Sequence, residues 1–238
     1  MRKISIIMPV YNEEKFVLKA IKRVVMAKVG SLSKEIIVID DGSRDGTKKK
    51  LEKSKIQKLK RKGSTIKVIS FKKNQGKGAA IRRGLREVTG DVVLIHDADL
   101  EYDPKEMTIL LRPILDGDAD VVYGSRFMGD RPHRVLNFWH MVGNKSLTLV
   151  SNMCTNLNLT DMETGYKMFT YKVAKKIKLQ ENRFGMEPEF TAKIAKMGCR
   201  VYEVGISYHG RNYDQGKKIG WKDGFQALWC ILKYNLFS

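Results

Sequence analysis

Val92-Val93-Leu94-Ile95-His96-Asp97-Ala98-Asp99 is an apolar run that ends on two carboxylates one residue apart. Its four apolar residues, introduced by Gly90-Asp91, read as a buried parallel strand. The carboxylates then stand where that strand ends, and open α/β sheets bind their ligands outside the carboxyl ends of their strands. Asp97 and Asp99, followed by Glu101, are poor core material and good material for holding a hard divalent cation.

The same pattern recurs on both sides. Ile4 to Met8 reads as a strand closed by Pro9, and Asn12 is placed to cap a helix whose apolar face is Phe16, Val17, Ala20, Ile21, Val24 and Val25. Glu35 to Ile39 is a second strand that ends at Asp40-Asp41, with a basic helix expected from about Asp45. Ile66 to Ser70 is a third. Gly76, Gly78 and Ala79 open a helix through Leu85, which Gly90 closes. Downstream, a helix is predicted from Pro104 to Leu115 and a strand from Asp120 to Tyr123. This alternation predicts a mostly parallel sheet with helices on both faces. Parallel strands emerge at one edge, so Tyr11-Asn12-Glu13, Asp40-Asp41, Asp97 with Asp99, and Ser125-Arg126 should converge on one crevice.

Beyond about residue 130 the alternation fades. Val135 to Leu157 and Trp221 to Phe237 are helix-like and rich in large apolar and aromatic residues. Core packing explains both; an amphipathic face lying on a membrane, with Trp and Tyr at the headgroup level, explains them equally well. No repeat or Pro/Gly linker marks a second domain. Residues 1–238 are therefore expected to be one domain, in two halves, 1–130 and 131–238.

Composition narrows the class. Hydrophobic content of 42% and charged content of 30% are those of a globular chain. No apolar segment approaches the roughly 18 residues of a spanning helix, and no secretory leader is evident at Arg2-Lys3. Cys154, Cys199 and Cys230 are too scattered for a metal cluster or disulfide framework, which suits a reducing cytoplasm. The net charge of +19, dense between Lys48 and Lys62, suits nucleic acid, anionic lipid or a phosphate-rich substrate. A basic nucleic-acid-binding module is the reading from another class, but clustered carboxylates repel phosphate backbones and no recognition motif accompanies the charge. Lys77 lacks the following Ser or Thr of a P-loop, and Pro9 to Glu13 lacks the Gly-rich signature of a nucleotidyltransferase.

Taken in order, Pro9-Val10-Tyr11-Asn12-Glu13, Asp40-Asp41-Gly42-Ser43, Gly76-Lys77-Gly78-Ala79-Ala80, Asp97-Ala98-Asp99, Gly124-Ser125-Arg126-Phe127 and Asp161 to Lys167 resemble the inverting family 2 glycosyltransferases. Within that family the likeness is to dolichyl- and undecaprenyl-phosphate hexose synthases. The resemblance implies a GT-A fold, a nucleotide-sugar donor such as GDP-mannose or UDP-glucose, and Mg²⁺ or Mn²⁺. It implies a polyprenyl phosphate acceptor, with extension of a surface glycan as the alternative. A chain without spanning helices would then dock on the cytoplasmic membrane face or rely on a membrane-protein partner.

Carried over by position, Pro9, Tyr11, Glu13, Ile39, Asp40 and Asp41 would line the nucleoside pocket. Asp97 and Ala98 would meet the ribose or sugar, and Asp99 with Glu101 would hold the metal. Lys77 would belong to the nucleotide-sugar site, Arg126, Arg211 and Lys218 would face the donor diphosphate or acceptor phosphate, and Asp161 would lie near the acceptor, where a base role is open. Glu187 and Glu189 read as a helix-start charge pair, or, by the resemblance, as a wall of the acceptor site.

Overall fold

The computed structural model describes residues 1–129, 134–135, 137–210 and 221–237. Strands β1 (Lys3–Val10), β2 (Ser33–Asp40), β3 (Ser64–Ser70) and β4 (Val92–Ile95) alternate with α1 (Val17–Met26), the short α2 (Thr47–Lys50) and α3 (Lys53–Gln57), and α4 (Lys77–Leu85). A 3₁₀ turn (Pro104–Glu106) leads into α5 (Met107–Leu115), then β5 (Val121–Ser125), α6 (Phe138–Thr155), β6 (Lys167–Thr170), α7 (Tyr171–Lys176), α8 (Met186–Lys196), β7 (Val201–Gly205) and α9 (Trp221–Leu236). One seven-stranded sheet runs in the order β3-β2-β1-β4-β6-β5-β7.

The expected mostly parallel sheet is present, with one departure. β6 lies antiparallel to both β4 and β5, while the β1–β2, β1–β4, β2–β3 and β5–β7 ladders are parallel. Two reversals cancel, so β5 and β7 run in the same direction as β4. All the parallel strands therefore present their carboxyl ends at one edge, and β6 brings its amino end there.

Strand periodicity divides the core in two. Ile4, Ile6 and Met8 join Val17, Ala20, Ile21 and Val24 of α1 and Leu110, Leu111 and Ile114 of α5 on one face. Ile7, Ile37 and Ile39 join Ala80 and Ile81 of α4 and Phe190 and Ile194 of α8 on the other. Burial on both faces explains why β2 and β4 read as unbroken apolar runs. Each fully buried aliphatic side chain contributes roughly 1.5–3 kcal/mol, so α1 is held by its inner stripe and not by helix propensity.

Several boundaries differ from expectation. Asn12 does not cap α1: it sits at φ +54°, and the helix begins after Phe16. Its side-chain oxygen instead accepts from the Arg44 amide, while its own amide donates to Ser43 Oγ. The basic helix after Asp45 is broken into α2 and α3 by the extended Glu52. Gly90 does not close α4, which ends at Leu85 with Arg86 as its cap. Its role is packing, because its amide donates to Ser5 Oγ and a Cβ there would crowd the β1 backbone. β3 begins two residues early, at Ser64, and the fifth strand runs on through Gly124 and Ser125.

Candidate active site

The crevice at the carboxyl edge of the sheet is built from loops fastened to one another by carboxylates. Parallel pairing sets Pro9 opposite Ile39 and Val10 opposite Asp40. Asp40 Oδ1 accepts from the Ser43 amide and the Glu13 amide donates to Thr47 Oγ1, which ties the loop after β1 to the loop after β2. Asp41 is buried and accepts from the amides of Gln75 (2.7 Å) and Gly76 (2.8 Å) and from Asn74 Nδ2 (2.7 Å). Burial raises its carboxyl above the ordinary value despite the opposing pull of those two amides. Asp41 thus fixes the loop that leads into α4. That loop needs Gly76, which sits at φ +104° and where a Cβ would strike the Asn182 carbonyl.

Lys77, the first residue of α4, reaches the end of β4. Its Nζ donates to Asp97 Oδ2 at 2.9 Å and lies 3.2 Å from Glu187 Oε1 at the start of α8. Burial opposes the charge, but Asp97 and Glu187 outweigh it and hold the ammonium firmly protonated. Glu187 also pairs with the buried Lys167 of β6, so Asp97, Lys77, Glu187 and Lys167 form one alternating chain of charges. Gly165 presses against this chain: a Cβ there would collide with Asp97 Oδ2.

Asp99 Oδ1 accepts from the Glu101 amide at 3.1 Å, and Leu100 between them takes φ +66°. A non-glycine residue there is strained, and strain of that kind clusters at working sites. Glu101 Oε2 accepts from Tyr208 at 2.7 Å, and the Glu101 carbonyl accepts from the His209 amide. Among the described residues, no three His, Cys, Asp or Glu side chains gather in a way that could hold a metal ion. Two hard carboxylates on one tight turn nonetheless fit a cation that arrives with the substrate's phosphates, since Mg²⁺ takes one or two carboxylates and completes its shell elsewhere.

Arg126 and Asp161, assigned separately from the sequence, prove to be one ion pair. Arg126 Nε donates to Asp161 Oδ2 and Nη2 to Oδ1, both at 2.7 Å, and the Arg126 amide adds a third bond at 3.0 Å. Asp161 is 0% exposed, and Glu203 of β7 accepts from its amide. Burial works against the guanidinium charge, but Asp161 more than compensates. The guanidinium also lies 5.3 Å from the Tyr208 ring centre and 5.5 Å from that of Phe127.

The amino end of β6 delivers Asp161 to Tyr166 to this edge, which no period in the sequence announces. Sequence reasoning also missed Tyr102, whose hydroxyl accepts from the Gly165 amide and whose ring stacks on Tyr166 at 5.0 Å. Nor did it separate Glu163 from its neighbours. That carboxyl is pushed up to about 7, by burial first and then by Glu187. Glu189 is buried and accepts from the Gln180 and Glu181 amides, so it fastens a loop. Arg211 and Lys218 lie outside the described residues.

α6 and α9 pack on each other and on α8. Ala227, Cys230, Ile231 and Tyr234 are buried, whereas Trp139 (80% exposed), Trp229 (59%), Phe138, Phe225, Leu149 and Met153 face outward. The buried side bears out core packing, and the other side is an exposed apolar and aromatic face. No described helix is long and apolar enough to cross a membrane.

Comparison with known proteins agrees with this geometry. The chain is 29% identical over 221 residues to a dolichol-phosphate mannosyltransferase of Pyrococcus furiosus, with 91% of this chain and 60% of that protein covered. It is 27% identical over 245 residues to a UDP-N-acetylglucosamine–dolichyl-phosphate N-acetylglucosaminyltransferase of Methanococcus voltae, covering 98% and 96%. Among solved structures, glucosyl-3-phosphoglycerate synthase of Mycobacterium tuberculosis, in complex with Mn²⁺, UDP and phosphoglyceric acid, superposes with a TM-score of 0.73 at 18% identity, covering 100% of this chain and 80% of that one. That likeness supports the GT-A fold. Residues 5–178 match the family described as glycosyl transferase family 2, and the chain belongs to it.

Proposed function

We propose that this glycosyltransferase moves a hexose, with inversion, from a nucleotide sugar to a polyprenyl phosphate at the cytoplasmic face of a membrane. The observation that carries the reading is the single crevice in which the ends of β1, β2 and β4 meet the Arg126–Asp161 pair. The named activities of the archaeal relatives support a lipid-phosphate acceptor. GDP-mannose and UDP-glucose both suit a pocket lined by Pro9, Tyr11, Glu13, Ile39, Asp40 and Asp41.

Transfer breaks the bond between the anomeric carbon and the nucleoside diphosphate. The sugar passes through an oxocarbenium-like state while negative charge grows on the departing phosphates. Asp99 and Glu101 would hold Mg²⁺ or Mn²⁺, which when bound supplies Lewis-acid neutralisation of that charge. Lys77, already committed to Asp97 and Glu187, acts as a brace: it sets the Asp97 carboxylate against the donor's ribose or sugar. Arg126, held flat by Asp161 and by the rings of Tyr208 and Phe127, offers a fixed positive face to phosphate. Arg211 and Lys218 are proposed, by the resemblance alone, to add positive charge toward phosphate.

In this reading residues 1–238 work as one transferase domain. The outward Trp139, Phe138, Phe225 and Trp229 rest on lipid, and the +19 charge draws the protein to an anionic surface. The test is transfer of labelled sugar from GDP-mannose or UDP-glucose to a polyprenyl phosphate in detergent with Mn²⁺. Label in the organic phase supports the reading; label reaching only a saccharide acceptor overturns it.

A further inference from the structure

We propose that Glu163, and not Asp161, accepts the proton that leaves the acceptor oxygen during sugar transfer. The inference rests on the transfer reading above and adds to it the identity of the base.

Asp161 is unavailable. Both of its oxygens accept from the Arg126 guanidinium, Oδ2 also accepts from the Arg126 amide, and the side chain is wholly buried. Its lone pairs are taken up by that pairing, and the buried guanidinium depends on it as a counter-charge. Its role is to hold Arg126.

Glu163 stands two residues further along the same segment, in different surroundings. The segment is pinned on either side of it: Arg126 holds Asp161, Thr164 Oγ1 donates to the Gly124 carbonyl, the Thr164 carbonyl accepts from Lys167 Nζ, and the Gly165 amide donates to Tyr102. Gly165 abuts Asp97, so Glu163 lies between the Arg126–Asp161 pair and the Lys77–Asp97 pair. Its Oε1 is shielded from solvent and, among the described residues, has no hydrogen-bond partner, while part of the side chain remains exposed. Among the described residues no cation forms an ion pair with it; Lys167 is committed to Glu187, and Arg126 to Asp161.

The charged groups that face Glu163 come from each neighbouring element. Glu187 of α8 and Asp161 of its own loop oppose its ionisation, and Lys167 of β6 and Arg126 after β5 favour it. Desolvation leads, Glu187 adds to it, and the carboxyl is pushed up to about 7. A general base works best near the operating pH, where it is both ionised and basic enough to take a proton.

In the step itself, the acceptor oxygen forms a bond to the anomeric carbon as the bond from that carbon to the diphosphate breaks. The electron pair of the broken bond leaves on the diphosphate, and the acceptor's O–H proton passes to the Glu163 carboxylate. A phosphate monoester still carries that proton in part around neutrality, because its second ionisation lies near about 6. Glu163 would therefore let the enzyme use both ionisation states of a lipid phosphate.

The test uses the full chain and Glu163→Gln, which keeps the size of the side chain. With a polyprenyl phosphate, a nucleotide sugar and Mn²⁺, the wild type should show an acidic limb in kcat near pH 7. The variant should lose kcat chiefly at the pH where the lipid phosphate is still monoanionic, and its limb should follow the phosphate's own second ionisation at about 6, with donor KM little changed. Difference infrared spectra give a readout independent of turnover: a carboxyl band should titrate near pH 7 in the wild type and be missing from Glu163→Gln. A variant within threefold of wild-type kcat and with the same limb, or a Glu163 carboxyl that titrates near its ordinary value, overturns the proposal. Should the wild type transfer nothing to the lipid phosphate, the acceptor assignment fails, and the infrared titration still decides whether Glu163 is poised as a base.

Discussion

The two ends of the crevice are held by different forces. At the β1–β2 end, carboxylates accept backbone N–H groups: Asp40 from Ser43, Asp41 from Gln75 and Gly76, and Glu14 from Gly46. At the β5–β6 end, charges meet charges inside the protein: Arg126 with Asp161, Lys77 with Asp97 and Glu187, and Lys167 with Glu187. The first arrangement fixes loop shape and leaves no net buried cation. The second keeps several charges out of water, where each member depends on its partner. One end is therefore a rigid mould, and the other is a charge network that a single substitution can unbalance.

That contrast is broken most forcefully by Arg126→Ala, which strands Asp161 in the interior. A loss of about 3–5 kcal/mol in denaturant unfolding is expected, against about 1–3 kcal/mol for Asp40→Ala, which takes from the Ser43 amide its part-buried acceptor. Equal losses at the two ends would remove the distinction. Asp99→Ala removes one of the two proposed metal ligands. It should cost roughly 10²–10³ in kcat, the scale of removing one charge-stabilising element, and should abolish any Mn²⁺-dependent rise in Tm with a nucleoside diphosphate.

A smaller effect separates the ends by pH. Glu163 has its folded value raised to about 7 from an ordinary 4.5, so the folded state binds its proton more tightly than the unfolded state does. Its contribution is intact below the unfolded value and is lost as pH rises through about 7. Unfolding free energy should fall across that window by about 1–3 kcal/mol in the wild type, and the fall should flatten in Glu163→Gln. Smallest is the outer face of α6 and α9. Trp139→Ala with Trp229→Ala should weaken binding to anionic vesicles severalfold while leaving Tm within about 2 °C, since both indoles are exposed.

The β1–β2 end was the legible one. Strands β1, β2 and β4 announce themselves as apolar runs closed by Pro9, Asp40-Asp41 and Asp97, and parallel pairing then carries their ends to one edge. The other end was not, because its geometry depends on strand direction. Lys167 to Thr170 is four residues long, with no alternation to mark it, and its antiparallel insertion is what brings the preceding segment to this edge, with Gly165 against Asp97. Side-chain pairings such as Arg126 with Asp161 join positions 35 apart, which spacing alone does not predict. Asn12 illustrates a local error: a good cap residue was instead recruited to bind the next loop, where tertiary contacts outweigh capping propensity.

The proposed reaction at this crevice is transfer of a hexose from a nucleotide sugar to a lipid-linked phosphate. Incubating the protein with labelled GDP-mannose or UDP-glucose, Mn²⁺ and polyprenyl phosphate, then partitioning the label, tests it directly. Label should enter the organic phase with wild type and fall to background with Asp99→Ala. Label that stays in the aqueous phase with both donors, or organic label that persists undiminished in Asp99→Ala, would contradict it.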